Sequence, residues 1–531
     1  MKLIIYTFTI ALLLIIQKVE AQNGLFFYPG DSSSSDSSIR EFVKVRALAD
    51  GSILHAGQAD EGSNADFSLC KISASGEILW QKKTGTPGLD VLKNFIITED
   101  GGFVLVGWSL SASAVYSDAL IIRLDANGET QWVRTFGGSD DDEAFGATQL
   151  SDGNLLISGT TYSFGPKLRN AFAAKMDLNS GDILWSNAYA KGNFNYFIDA
   201  IALPGAGAIA CGYTWVTTGN SLFDPFFVRL DSLGNPVWSK WLKTAGSQII
   251  YDFEKDTDGG VVFAGVSTLS GAQNQNYIAK VNASGEHQWS RVFGTPNSDR
   301  IWDLCVLPEG KYLVAGFSAK NGSDTSPRNG FVARLSSDGQ AEEALLIGAD
   351  DTITTTFTGI TASGNHMEAN GFSYRNHPTG AGVVLKLPIL DFSFTCDAVA
   401  PVSMPGTALT AVDSSGILFS DGGVANEVSA SSGNNNLLKQ PLCLLAATSM
   451  PVAEPGISLW PNPGFGFYRI ENLPEGRQNL VRVYSSAGLL CHSGILSGAE
   501  LDLRHLPNGL YHIVLGNSGP GKTIRISKIS E

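Results

Sequence analysis

The sequence predicts an all-β fold, a seven-bladed β-propeller followed by a small C-terminal β-sandwich, and three observations predict it. An acidic or Pro-Gly turn, a short apolar run and a glycine return together seven times, as in Asp100-Gly101-Gly102-Phe103-Val104-Leu105-Val106-Gly107. The closing glycines, Gly57, Gly107, Gly159, Gly212, Gly265, Gly316 and Gly371, recur about every 52 residues, near the length of the longer propeller repeats. Each unit divides into four apolar runs dominated by Val, Ile, Phe and Leu, none of them long enough for an ordinary helix.

The chain opens with Lys2, an apolar stretch from Leu3 to Ile16, and Val19-Glu20-Ala21 before Gln22, the pattern of a cleavable export signal over residues 1–21. An apolar stretch of about fourteen residues is short for a membrane span, which needs roughly 20. No later segment is as long, so the expectation is a secreted or cell-surface protein that is not integral to the membrane. Of the 531 residues, 43% are apolar and 16% charged, which places the chain in the globular class. Its net charge of −15 comes without a basic stripe, and phosphates would be repelled, so neither nucleic acid nor an anionic lipid surface is an expected partner.

Within the repeat, residues 22–395, one run begins at a tryptophan: Trp80, Trp132, Trp185, Trp238 and Trp289 follow one another at 52, 53, 53 and 51 residues, with Glu343 in the sixth place. A Gly-rich turn follows, then a second run such as 91–98 or 302–307. A third, continuously apolar run such as 103–106 reads as a strand covered on both faces, and a fourth is typified by 119–124. A solenoid is the rival architecture, but a β-helix coil uses far fewer residues. The Asp-Gly and Asp-x-x-Gly turns are short enough for hairpins, so each joins neighbouring strands of one sheet. That leaves the tryptophan strand as one sheet edge and the run after the Gly-rich turn as the other. The seventh unit, ending at 383–387, lacks its tryptophan-type strand, while Leu25-Phe26-Phe27-Tyr28 is spare, so the ring is expected to close through the N-terminal strand; 391–394 competes for that slot.

Residues 396–455 are rich in Gly, Ser and Asn, notably 414–436, and read as a loop-rich connector. Residues 456–531 then form a second all-β pattern. Pro461-Asn462-Pro463, Val483-Tyr484-x-x-x-Gly488, Leu501-Asp502-Leu503-x-x-Leu506-Pro507-Asn508-Gly509-Leu510-Tyr511 and a last strand with Lys522 and Lys528 resemble the C-terminal sorting domain (type A) of the type IX secretion system of Bacteroidetes. The resemblance implies export through the inner membrane by the signal, passage through the outer membrane directed by this tail with the type IX secretion machinery as partner, and release or surface attachment. The family's usual Asp-Leu-Ser is Asp502-Leu503-Arg504 here. The upstream repeats resemble the propeller modules found ahead of such tails.

Several motifs have spacings associated with chemistry. Gly516-Asn517-Ser518-Gly519-Pro520-Gly521-Lys522-Thr523 has the spacing of a phosphate-binding loop, yet such a loop must open a helix, and the residues after Thr523 read as a strand. Gly205-Ala206-Gly207-Ala208-Ile209-Ala210 resembles a dinucleotide fingerprint but sits where the repeat puts a hairpin. Asp90, Asp142 and Asp299 share one register, five places after Gly85, Gly137 and Gly294; they are candidates for calcium or for acid/base pairs in sugar chemistry, against the plainer role of capping a turn. The periodic tryptophans are expected to pack between blades. Trp108, Trp215, Trp241 and Trp302 fall off that register and are candidate ligand-binding residues.

Six cysteines form no zinc spacing; Cys70, Cys211 and Cys305 read as buried thiols, and Cys396 and Cys443 as a candidate disulfide. Seven histidines lack metalloprotease spacing, and no serine sits in a nucleophile elbow. The expectation is a non-enzymatic recognition module for an extracellular polysaccharide, protein or surface component, with no cofactor beyond a calcium ion. The alternatives are a surface hydrolase or lyase using carboxylates at the propeller mouth, and a structural component of an adhesive layer.

Overall fold

The computed structural model describes residues 24–28, 38–61, 64–111, 115–216, 222–244, 246–268, 273–322, 327–348, 353–375 and 381–390, seven short strands between 399 and 444, and the strands of the tail between 458 and 528. It divides into two compact units, Met1–Ala447 and Thr448–Glu531. The first is a seven-bladed propeller. In blade 2 the strands Gly88–Ile97, Phe103–Ser111, Asp118–Leu124 and Thr130–Gly137 pair in chain order as an antiparallel meander. Equivalent sheets begin at Ser38, Asp142, Phe194, Ser247, Asp299 and Ile353. The seventh borrows its fourth strand from the N-terminus: Gly24–Tyr28 pairs antiparallel with Ala381–Pro388, Leu25 opposite Leu385. This is the closure the spare apolar run predicts; residues 391–394 lie outside the described residues.

The marker glycines have a steric cause. In blades 2 to 7 the first strand carries a β-bulge opposite the glycine of the second strand, as between Leu92 and Asn94 or Phe197 and Asp199. A methyl group on Gly107 would collide with the Val91 carbonyl, and one on Gly212 with the Tyr196 carbonyl. Only a glycine lets the bulged backbone fold over its neighbour. Blade 1 carries a comparable irregularity between Phe42 and Lys44. The bulge re-aims the residues after it toward the axis, so Lys44, Asn94, Gly146, Asp199, Asp252, Asp303 and Gly359 occupy one register, one per blade.

The periodic tryptophans fasten blade to blade, as expected. Trp80, Trp132, Trp185, Trp238 and Trp289 lie against Gly128, Gly181, Gly234, Gly285 and Gly339, the positive-φ glycines in the third-to-fourth turn of the following blade. The indoles of Trp132 and Trp185 donate to the Leu178 and Ser232 carbonyls at 3.0 Å. Blade 7 has no such turn, because its fourth strand comes from the other end of the chain. There Glu343 replaces the indole and pairs with Arg334 at 3.2 Å, which also donates to the Ile389 carbonyl.

The connector differs from its loop-rich reading. Val399–Pro401, Gly406–Ala408, Val412–Ser414, Leu418–Asp421, Val424–Glu427, Ser431–Gly433 and Gln440–Leu444 add a fifth strand to blades 6, 5, 4, 3, 2, 1 and 7 in that order. The chain thus turns back and circles the whole ring as a belt. The tryptophan-bearing strand is therefore not a sheet edge, because an antiparallel belt strand covers it, as Asp421 pairs with Asn187 in blade 3. Covering an edge removes a row of unpaired amides and carbonyls that would otherwise template association. Cys396 lies outside the described residues, and Cys443 is in the last belt strand.

The second unit packs a three-stranded sheet, Ser458–Trp460, Phe467–Glu471 and Glu500–Asp502, with a four-stranded one ordered Leu490–Leu496, Asn479–Ser485, Gly509–Leu515, Lys522–Lys528. Val481 and Val483 from one sheet and Leu501, Leu503 and Leu506 from the other are buried, the core of a β-sandwich. Lys522 and Thr523 open a strand, while 516–521 of the phosphate-loop spacing lie outside the described residues. Gly205 and Ala206 form a hairpin turn with Leu203 donating to the Gly207 carbonyl, and no helix follows.

Candidate functional site

Strand direction gives the propeller two unlike faces. One carries the short Asp-Gly and Asp-x-x-Gly turns, nearly the same in every blade. The other carries the between-blade crossings and the second-to-third-strand connections, which vary in length and sequence and include 162–169 of blade 3. Variable loops on a rigid scaffold are where binding groups concentrate. Trp108, Trp215, Trp241 and Trp302 all lie in the half of their strands nearer this second face, and all four are half-buried.

Asp90, Asp142 and Asp299 also lie toward this face, one in each of three blades, and each is fully buried. Asp90 accepts from the Thr86 amide at 2.5 Å, Asp142 from the Gly138 amide at 2.8 Å and Asp299 from the Thr295 amide at 2.6 Å. Each carboxylate closes the crossing from the previous blade. Where the carboxylate is missing, Asn195 does the same work, accepting from the Lys191 and Gly192 amides at 2.8 and 3.0 Å, and Gln248 accepts from the Thr244 hydroxyl. Amides standing in for carboxylates are invisible to a search for acidic residues alone. The three aspartates converge on no shared point, and among the described residues no group of three His, Cys, Asp or Glu side chains is placed to hold a metal ion.

Each capping residue faces a partner on the third strand of the preceding blade. Asp66 and Asp90 both reach the space over Gly85, and Asp118 and Asp142 the space over Gly137. Burial, then the charge of Asp90, pushes the Asp66 carboxyl up to about 7, and burial pushes Asp142 and Asp299 up to about 6. At the Asp299 position the partner is Gln275, an amide, whose Nε2 lies 3.4 Å from the carboxylate.

Further along the axis the bulge register closes the channel with polar side chains from non-adjacent blades. Lys44 of blade 1 reaches Asp252 of blade 5 at 3.1 Å and also bonds Asp303 of blade 6. Asn94 of blade 2 donates to Asp199 of blade 4 at 3.0 Å. Asp252 accepts from the Leu304 amide and Asp303 from the Ile360 amide, tying neighbouring inner strands together. Burial works against the Lys44 charge, but Asp252 and Asp303 outweigh it and hold its ammonium above the ordinary range. Burial pushes Asp199 and Glu254 up to about 7 and raises Asp303 as well. Such a group binds blades together across the axis.

Above this plug, the residues just ahead of each bulge and the strand ends beside them build an arc around the channel mouth. In blades 3 and 4, the Arg169 guanidinium lies 4.8 Å from the Tyr162 ring centre and 4.5 Å from that of Tyr196. It donates to the Thr160 and Tyr196 hydroxyls at 2.9 and 3.2 Å and to Glu143 at 3.1 Å. Tyr196 stacks on Tyr213 at 4.5 Å. In blades 5 and 6, Tyr251 and Trp302 pack at 4.4 Å. Arg300 lies 5.4 Å from Trp302 and 5.7 Å from Phe317, and Arg328 lies 4.2 Å from Phe317. Lys93 sits 5.6 Å over Phe145 on the near side.

The arc is itself periodic. Arg169 and Arg328 each precede the first residue facing the next blade's cap, Asn170 and Asn329. Trp108, Tyr213 and Phe317 each follow a marker glycine. Of the four tryptophans expected to bind, Trp302 belongs to the arc. Trp215 flanks it, packed on Phe194 at 4.9 Å. Trp108 holds the Tyr213 register in blade 2, and Trp241 lies under Lys191 and Lys243 at the outer side of blade 4. The arginines and tyrosines were not legible as a group, because they come from six separate segments that only the ring brings together.

No family model matches the chain. The regulatory protein FlaEY of Caulobacter vibrioides is 22% identical over 365 residues, covering 61% of this chain and spanning 34% of that protein's length. Among solved structures, the plexin A4 extracellular region aligns with 95% of this chain and 61% of its own at 9% identity and a TM-score of 0.32. PorZ, a surface component of the type IX secretion system of Porphyromonas gingivalis, aligns with 93% of this chain and all of its own at 9% identity and a TM-score of 0.15.

Proposed function

We propose that the chain is an exported recognition module. On this reading the propeller presents its variable face to an extracellular ligand, and residues 456–531 direct type IX secretion to the surface or the medium. The observation that carries the binding role is the arc at the channel mouth: half-buried aromatic rings interleaved with cations, on the face with variable loops, above a channel that is plugged. The secretion role rests on the export signal at 1–21 and on the spaced motifs of the tail. The hydrolase reading is weaker, since Asp90, Asp142 and Asp299 are each committed to backbone amides in separate blades.

The binding role is tested by probing a glycan and protein array with the mature chain from residue 22. Signal on one class, lost when arc residues are replaced, supports it; a silent array together with turnover of a polymer replaces it with the enzyme reading. The secretion role is tested by fractionating cells that express the chain ending at 455. Retention in the periplasm is expected, and unchanged export sinks the assignment of the tail.

A further inference from the structure

The side chains that meet on the axis form a reactive set as well as a charge balance. Lys44, Asp252 and Asp303 arrive from blades 1, 5 and 6, and their side chains are 8%, 6% and 0% exposed. The Lys44 ammonium touches Asp303 Oδ1 and lies 3.1 Å from Asp252 Oδ1. The other oxygen of each carboxyl accepts from a backbone amide, Asp252 Oδ2 from Leu304 at 3.0 Å and Asp303 Oδ2 from Ile360 at 2.7 Å, which fixes both carboxyls in place. Gly359 is the blade 7 member of the same register, between blades 6 and 1 in ring order. A Cβ there would collide with Asn370 Oδ1 and lie 3.1 Å from the Lys44 Cα, so its absence leaves the lysine room to cross.

We propose that this cluster matures into a covalent staple, an isopeptide bond between Lys44 Nζ and Asp303 Cγ formed with Asp252 as the base. The ammonium gives a proton to the Asp252 carboxylate, and the freed amine attacks the carbonyl carbon of the protonated Asp303 carboxyl. The N–C bond forms, the C–OH bond breaks, and the hydroxyl leaves with a second proton from the amine as water. Ammonium, carboxylate and carboxylic acid thus become an amide, a water and protonated Asp252, and nothing else is consumed. In water the ionised reactants are favoured by their hydration. Buried, the two charges lose that hydration while the products carry no charge, and a fixed contact replaces a chance encounter. Burial also raises the Asp303 carboxyl, favouring the protonated form whose hydroxyl can leave. Asp303 is the electrophile because it is the more deeply buried of the two carboxyls and the one Lys44 touches. Arg46, drawn to both carboxyls, keeps its charge through the step. The bond joins blade 1 to blade 6, 259 residues apart, past the blade that the N-terminal strand closes by backbone pairing.

The test is mass spectrometry of the full mature chain, purified folded, unfolded in denaturant, weighed intact and then digested with trypsin. The expected mass is about 18 Da below that of the sequence, one water. The digest should contain Glu41–Arg46, uncut after Lys44, joined to Ile301–Lys311. Lys44→Arg keeps a cation on the axis but offers no amine, so the full mass should return and the melting temperature should fall. Asp252→Asn should give a mixture of full and reduced mass, because the base is gone while the reacting pair stays. An unmodified mass in the unsubstituted chain overturns the proposal, whatever the variants do. The same loss with no linked peptide marks a cyclised aspartate and overturns it too. Glu41–Arg46 joined to Thr244–Lys255 overturns Asp303 as the electrophile, and complete linkage in Asp252→Asn overturns Asp252 as the base.

Discussion

At the scale of single residues, the inter-blade pairs show how one geometry accepts different chemistries. Beneath Asp299 the partner is an amide, so the pair can satisfy itself; beneath Asp90 it is Asp66, whose only nearby cation among the described ion pairs, Lys83, stands off at 3.6 Å, and burial beside Asp90 favours a proton on Asp66. A carboxyl whose folded pKa is raised adds stability that is complete below its unfolded pKa and lost as pH rises through its folded value, here about 7. Asp66→Asn should therefore raise the melting temperature at pH 8.5 and change little at pH 5. Equal shifts at both pH values would show that the pair does not hold that proton. The aspartate caps were legible because Asp90, Asp142 and Asp299 keep one register. Asn195 and Gln248 escaped because an amide accepts the same bond without carrying the charge that drew attention to the register.

Among the elements, the bulged inner strand sets both the repeat and the channel. The marker glycine was the clearest signal in the chain, and its cause, a neighbouring carbonyl folded over it, is also what turns Lys44, Asp199, Asp252 and Asp303 toward the axis. The period was readable; the side chains that meet across the axis were not, because sequence gives each strand's register but not the closure that brings blade 1 against blades 5 and 6. Lys44→Met leaves two buried carboxylates without their cation, and should cost about 3–5 kcal/mol in denaturant unfolding. A cost under about 1 kcal/mol would show that the plug does not hold the ring. Because burial raises Asp199 and Glu254 to about 7, the plug should also favour mildly acidic over alkaline conditions, and Asp199→Asn should flatten that slope. On the outer side, Trp132 is 8% exposed and bonded to the next blade; Trp132→Ala should cost about 3–5 kcal/mol, typical for a lost core indole.

For the molecule as a whole, the seven blades and the N-terminal closing strand were readable from periodicity, but the belt was not. Its strands are three to five residues long, begin about six to nine residues apart, and attach by backbone pairing that leaves no apolar alternation in the sequence. A faint spacing of short strand-capable pairs was the one available clue, and a Gly, Ser and Asn composition hid it. The compact unit ends at Ala447, so a fragment cut at 395 strips a strand from all seven blades. That fragment should melt lower than one ending at 447 and associate through its bared edges, as size-exclusion chromatography would reveal. Equal melting and a single monomer peak would make the belt dispensable.

The belt's route has a mechanical corollary. Its final segment, Gln440–Leu444, lies along Gly24–Tyr28, the strand that shuts the ring, so that strand is gripped from both sides. A load applied beyond Leu444 meets this outermost fastening first, then the ones on blades 1 through 6 in turn. Tension from the tail would be absorbed as a series of small ruptures, each releasing a short length of chain while the ring stays whole. A protein held by its C-terminal end in moving fluid would stretch before it failed.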